Sequence, residues 1–272
     1  MLSRTIMLGT GNNFQLQTCN MLSENISSQE KFFKESNLYN LSIRQKPNGF
    51  SFFVYDDQKR LISLKNIKAP LFVMNKEELI PLLLKEPEMQ LPYHNVKLTY
   101  ESNRYSVVPQ MIFKKVEAES LFYFHHKKEK NEIVLSNPIA SFETVNIFSV
   151  PSIIYEVFEQ FFPKLNIEHH ITQFLINLQA YTNKEENLNV YLREHLMDVV
   201  AIENNQLMLI NSFVFQTPED FVYYLLRVIE ELSFDIDGCK IRLFNYEKRH
   251  SKLYNLAQKY MKHCEIIEKK RE

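Results

Sequence analysis

Glycine is nearly missing from this chain of 272 residues, which carries only Gly9, Gly11, Gly49 and Gly238. Loops that wrap backbone around phosphate need several glycines close together. Only Gly9 and Gly11 are near neighbours, which excludes a P-loop and a Rossmann fingerprint. Cysteine is also scarce. Cys19, Cys239 and Cys264 form no close pair, and an odd count builds no disulfide framework. A reducing cytoplasm is therefore the expected location. Neither sign of charge is in excess, with 32 Lys and Arg against 33 Asp and Glu, so no bulk field points to nucleic acid or an acidic membrane. Long apolar runs are absent too: nothing approaches the ~18 residues of a membrane helix. Ile6-Met7-Leu8 is too short for the core of a signal peptide. The chain reads as soluble, with no membrane insertion and no nucleic-acid partner.

What is present is 45% hydrophobic and 24% charged residues, an ordinary globular balance. Residues 1–35 are polar and aperiodic, and read as a flexible N-terminal arm; Met21 offers a second start besides Met1. Order begins near Leu38. Leu41 and Ile43, then Phe50, Phe52 and Val54, follow the two-residue period of strands around an Asn48-Gly49 turn. A third strand is expected over Arg60–Ile67. Asn75-Lys76-Glu77-Glu78 reads as a capping box that starts a helix containing Pro81. Strands are expected at Val96–Tyr100 and Tyr105–Val108, a helix over about Pro109–Ser120, and short strands near Leu121–Phe124, Ile133–Leu135 and Val145–Val150. Two helices follow, with stripes Ile153, Ile154, Val157, Phe158, Phe161, Phe162 and Ile171, Phe174, Leu175, Leu178, Tyr181.

From Leu188 the plan restarts. Strands are expected at Leu188–Arg193, Leu196–Ile202 and Gln206–Phe215, then a helix capped by Thr217-Pro218-Glu219-Asp220. A strand at Lys240–Tyr246, a helix over about Ser251–Lys262 and a short strand at Glu265–Ile267 close the chain. The order β-β-β-α-β-α thus occurs twice. Even the letters rhyme, Ser42-Ile43-Arg44 with Tyr191-Leu192-Arg193 and Val54-Tyr55-Asp56-Asp57 with Ala201-Ile202-Glu203-Asn204. Three meandering strands followed by alternating helix and strand make a ribonuclease-H-like unit. Two in tandem give an α/β chain of the duplicated, actin-like ATPase fold, two mixed-sheet subdomains with a cleft between them. The expected boundaries are 36–183 for the first subdomain and 184–272 for the second.

Particular stretches carry a resemblance: Leu41-Ser42-Ile43, Gly49-Phe50-Ser51-Phe52, Val107-Val108-Pro109, Asn211-Ser212-Phe213 and, above all, Thr217 to Leu226. Over about Leu22 to Lys262 the chain resembles a bacterial domain-of-unknown-function family of uncharacterised proteins with an actin-like ATPase fold. That family has no established activity, so the resemblance implies fold and not function.

Actin-like ATPases hold phosphate and metal between two hairpins, and their second hairpin typically reads D-x-G-x-G-T-T-D. Aligned so that Asp198 matches its end, this chain has Tyr191 for the first acid, Arg193 and His195 for the glycines, and Leu196-Met197 for the threonines. In the first hairpin Ser42 replaces an acid and Arg44 a glycine. The cleft candidates are thus Ser42, Arg44, Tyr191, Arg193, His195 and Asp198. Arg44 and Arg193 could grip an anion through their guanidinium groups, against the plainer reading of two solvated strand charges. Asp198, the surviving acid, reads more simply as a surface strand residue. Adjacent pairs His125-His126 and His169-His170 lack zinc spacing and a third ligand, and read as surface or helix-start histidines. Glu219 and Asp220 sit where helix capping accounts for them.

The sequence therefore assigns no catalytic residue, no metal and no cofactor, leaving a nucleotide open as a cleft ligand. It favours a non-catalytic scaffold or protein-interaction module with one or more protein partners. The alternative is a nucleotide- or anion-binding switch, or a weak ATPase, working through the inter-domain cleft. A ribonuclease-H-type nuclease is opposed by Ser42 and Tyr191 at the first-strand positions, where metal-binding carboxylates are needed.

Overall fold

The structure is a computed structural model that describes residues 32–69, 75–181 and 185–268. Alternation builds its first sheet. In β1 (Asn40–Lys46) and β2 (Gly49–Tyr55), Leu41, Ile43, Phe50, Phe52 and Val54 are buried, while their neighbours Ser42, Arg44, Ser51, Phe53 and Tyr55 stay half-buried. The turn between these strands depends on Gly49. Its φ is +147°, and a Cβ there would stand 2.0 Å from the Ile67 carbonyl oxygen of β3 (Leu61–Lys68). β4 (Asn95–Tyr100) and β8 (Asn166–His169) add in parallel, giving the order β3-β2-β1-β4-β8. Helices α1 (Lys76–Leu84) and α3 (Ser152–Phe161) contribute Leu79, Leu83, Ile154, Val157 and Phe158 to the core containing the buried side chains of β1 and β2. Asn75 caps α1 with the expected capping box.

Between β4 and α3 lies an inserted three-stranded antiparallel sheet, ordered β5 (Tyr105–Pro109), β7 (Thr144–Pro151), β6 (Glu132–Ile139). Here the structure corrects two expectations. The helix expected over Pro109–Ser120 is two 3-10 turns, Gln110–Ile112 and Lys115–Glu117, and α2 spans Ala118–Tyr123, where a strand was expected from Leu121. The reason is burial. Ala118 and Phe122, one helical turn apart, pack on Val145 and Ile147 of β7, whereas Met111 and Val116 point into solvent and give an earlier helix nothing to cover. The short strand β8 was not expected at all.

The second sheet repeats the first. β9 (Asn187–Leu192), β10 (Leu196–Glu203), β11 (Gln206–Val214), β12 (Lys240–Phe244) and β13 (His263–Ile266) run in the order β11-β10-β9-β12-β13. α5 (Pro218–Glu231) and α6 (Ser251–Tyr260) pack on one face. Thr217 caps α5 as expected: its hydroxyl accepts from the Asp220 N–H and the Asp220 carboxylate from the Thr217 N–H. The opposite face is covered by α4 (His170–Leu178), whose Phe174 packs on Tyr191 and Phe244 and whose core extends to Val200 and Ile202 of β10. This helix ties the two halves together.

Of the arm expected over 1–35, residues 1–31, and with them Met21, lie outside the described residues. At its end Phe32 stacks on Tyr39 with ring centroids 5.8 Å apart. Among the described residues no helix is long and apolar enough to cross a membrane.

Candidate functional site

The β9–β10 hairpin carries four of the six cleft candidates. Strand alternation turns Tyr191, Arg193 and Asp198 to the face that α4 covers, which puts two charged groups where water cannot reach them. Asp198 is 0% and Arg193 5% exposed. A charge so placed requires partners, and Asp198 has three. Arg193 Nη2 donates to Asp198 Oδ1 at 2.7 Å, Ser212 Oγ of β11 donates to the same oxygen, and His170 Nε2 of α4 sits 2.9 Å from Oδ2. Burial alone pushes the Asp198 carboxyl up, but the charges and hydrogen bonds of His170, Arg193 and Ser212 outweigh it and hold the group below its usual range.

The cluster continues into the first half. Ser212 Oγ lies 3.1 Å from the Tyr105 hydroxyl, whose ring packs on His169. His169 caps α4: its Nδ1 accepts from the Ile171 N–H and its Nε2 reaches Ser102 Oγ at 3.1 Å. The His169 ring is fully buried. Burial, then repulsion by His170 and Arg193, drives its pKa well below the ordinary value. Asn137, Asn146 and Thr172 extend the hydrogen bonding beneath α4, Asn146 Nδ2 donating to Thr172 Oγ1 and that hydroxyl to Asn137 Oδ1. Two buried nitrogens of the cluster, His170 Nδ1 and Arg193 Nε, make no hydrogen bond among the described residues.

The plain alternatives for these residues are therefore corrected. Asp198 is not a surface strand residue, and Arg193 is not a solvated charge; the two form a buried ion pair. His169 and His170 do begin a helix, but neither lies on the surface. Arg193 is committed to Asp198, so its guanidinium is already neutralised by this chain's own carboxylate. His195 is exposed on the hairpin turn, where its backbone carbonyl accepts from the Phe215 N–H at 3.1 Å.

Across the cleft, Ser42 and Arg44 stand on β1. Arg44 lies over the Phe53 ring, 5.0 Å from its centroid. It is near enough to Tyr191 to act on that hydroxyl, which burial and Glu101 raise and Arg44 lowers. The structure thus brings Arg44, Tyr191, Arg193 and Asp198 towards one place and leaves His195 outside it. The register also shifts the internal repeat. Leu41 pairs with Val54 as Leu188 pairs with Ala201, which makes Tyr191 the equivalent of Arg44 and not of Ser42.

Sequence reasoning missed His170, Ser212 and Tyr105 as members of the cluster. Signals existed: His169-His170 reads as a pair of surface or helix-start histidines and does start α4, and Ser212 lies within one of the stretches that carry the family resemblance.

A cavity of about 600 Å³ lies between the halves, lined by Lys46, Asn245, Tyr246, Glu247, Ile266, Ile267 and Glu268. It sits beyond the carboxyl ends of β12 and β13, where open α/β sheets receive ligands. None of the six candidates lines it. Among the described residues its lining holds one lysine and two glutamates. Among the described residues no group of three or more His, Cys, Asp or Glu is placed to hold a metal ion.

With this geometry established, comparison with known proteins places the chain. The family described as "Protein of unknown function (DUF3822)" matches residues 28–264. A Bacteroides thetaiotaomicron protein with an actin-like ATPase fold and unknown function is 26% identical, with a TM-score of 0.78 over 86% of this chain and 93% of that one. The PilM-PilN type IV pilus biogenesis complex gives a TM-score of 0.54 at 12% identity, over 85% of this chain and 88% of the other. No curated protein matches the sequence. The architecture is the actin-like ATPase fold, as its duplicated strand order indicates.

Proposed function

We propose that this chain, which belongs to the family of unknown function DUF3822 and has the actin-like fold, is a protein-binding scaffold whose phosphate-binding hairpin has become a structural joint. One observation carries the reading. Asp198, the acid retained from the nucleotide-binding pattern, is sealed from water with both carboxylate oxygens engaged by Arg193, Ser212 and His170. A carboxylate that organises metal and attacking water has to present an oxygen to them; this one has Oδ1 held by Arg193 and Ser212 of its own half and Oδ2 by His170 of α4.

The remaining candidates point the same way. Tyr191 and Ser42 offer no carboxylate. Arg193 and His195 occupy the sequence positions of the glycines whose backbone N–H groups would approach phosphate. The PilM-PilN complex offers a precedent, at the level of fold alone, for such a chain held by a protein partner. Residues 36–183 and 184–272 serve in this reading as the two subdomains that α4 locks together, in a cytoplasmic protein.

The competing reading, a nucleotide- or anion-responsive switch, keeps one specific support in the inter-domain cavity at the strand ends. Thermal melts of the full chain with millimolar ATP, GTP or ADP and Mg²⁺ separate the two. A ligand at a hundred times its Kd stabilises by about 2.7 kcal/mol, a shift of several degrees. The scaffold reading expects no shift with any of them. A saturable shift would establish the switch.

A further inference from the structure

The two halves are copies, so each can be compared with the other position by position. The register that matches Leu41 with Leu188 and Val54 with Ala201 also matches Ser51, Phe53 and Tyr55 of β2 with Asp198, Val200 and Ile202 of β10. On the second sheet this face is closed. Asp198, Val200 and Ile202 are all 0% exposed beneath α4. On the first sheet the matching positions Ser51, Phe53 and Tyr55 are half-buried. Every half-buried position of β1 and β2 lies on this face, and Leu64 and Leu61 of β3, opposite Phe53 and Tyr55, are 52% and 49% exposed. Among the described residues no helix follows β13 in the way α4 follows β8.

This partly exposed face has a definite chemistry. Phe53 and Tyr55 stack with centroids 6.3 Å apart and adjoin Leu61 and Leu64, making an apolar strip. Arg44 lies over Phe53 at one side of the strip and makes no ion pair among the described residues, leaving a cation without a carboxylate. The β3 edge is guarded against pairing with a second copy by the bulge at Val54/Tyr55 and by Lys68, devices that natural edge strands use to stop sheet extension. The face is therefore suited to a helix laid across it, as its twin already carries one.

We propose that this face of the first sheet docks an amphipathic helix of a partner protein, seated as α4 is seated on the second sheet. Its apolar stripe covers Phe53, Tyr55, Leu61 and Leu64, and an acidic side chain meets Arg44. The inference deepens the scaffold reading by giving the partner a chemistry, and it rests on that reading. α4 supplies the template: four buried side chains spaced as Ile171, Phe174, Leu175 and Leu178.

The test uses the full chain and a fluorescent helical peptide carrying that four-residue stripe, polar elsewhere, with one glutamate placed towards Arg44; a twin peptide carries lysine there. Anisotropy should show saturable binding of the glutamate peptide with a Kd below about 100 μM, within reach of a short preformed helix. Leu64→Glu, on an exposed edge position that folding tolerates, should weaken it at least tenfold. Arg44→Glu should weaken the glutamate peptide and favour the lysine twin. Circular dichroism melts confirm that each variant is folded. The proposal is overturned by no saturable binding, or by binding that Leu64→Glu leaves unmoved. Sedimentation showing a dimer that Leu64→Glu disperses would put a second copy on the face instead. Binding that strengthens tenfold on deletion of residues 1–31 would put the chain's own N-terminal segment there. Nucleotide binding would overturn the scaffold reading without moving the peptide result, so the two failures remain distinct.

Discussion

Replacing Asp198 by asparagine preserves its shape and removes one charge from a place without water. Arg193, 5% exposed, would then be a buried cation with no counter-charge, its Nε already unpartnered. Breaking a buried pair by removing one member costs about 3–5 kcal/mol. That is a large share of the roughly 5–15 kcal/mol that holds a typical domain together. The reverse change, Arg193→Met, is milder. It leaves Asp198 with His170 and Ser212 still in place, so a cost of about 1–3 kcal/mol is expected, that of a lost charged hydrogen bond. Combining the two should cost less than their sum by about 0.5–3 kcal/mol, because the orphaned cation disappears with its partner. Urea melts at neutral pH on the full chain would read all three, with an unchanged slope showing that only stability moved. An Asp198→Asn variant within about 0.5 kcal/mol of the parent would refute the reasoning. A carboxylate kept for catalysis at the expense of stability would behave in that way, or even stabilise when removed.

Thr217→Ala should destabilise by about 1 kcal/mol, because the hydroxyl caps α5; a midpoint identical to the parent's in denaturant would show that it does not. Acid should weaken the fold through His169. Its folded pKa lies well below the ordinary value, so its contribution is complete above about pH 6.5 and falls by about 1.4 kcal/mol per pH unit below that, until the folded pKa is reached. In melts from pH 7.5 to 5, His169→Asn should flatten this slope without abolishing it, since His250, also lowered by burial first, adds in the same direction. Equal slopes in parent and variant would contradict the assignment. Gly49→Ala should cost more than about 1 kcal/mol, because a side chain cannot adopt that φ without strain and the new Cβ would meet the Ile67 carbonyl; an unshifted melting midpoint would count against it.

The fold was legible where one physical requirement ruled a segment. Leu41 and Ile43 against Phe50, Phe52 and Val54 alternate because only one face of their sheet is buried, and that pattern survives in the sequence. Thr217-Pro218-Glu219-Asp220 is a local device and was equally readable. β8 was not, because Asn166-Ile167-Glu168-His169 offers a single apolar residue to a four-residue strand. The insert misled for the opposite reason: Met111, Ile112 and Val116 have the composition of a core and face water. Asp198 was legible as an acid and illegible as a buried one. What seals it comes from other elements, His170 twenty-eight positions earlier and Ser212 fourteen later. A charge on a strand shows nothing of the helix that will cover it.

The measurement that bears most directly on the scaffold reading is steady-state phosphate release by the full chain with ATP and Mg²⁺, run beside Asp198→Asn and Arg193→Ala. Phosphoryl transfer relies on positioning and charge neutralisation, and here the acid and the guanidinium neutralise each other. The expected result is turnover below about 0.01 s⁻¹, some three orders under the median enzyme, and unchanged in both variants. Turnover above that level, abolished by Arg193→Ala, would contradict it and make the hairpin a working phosphate site.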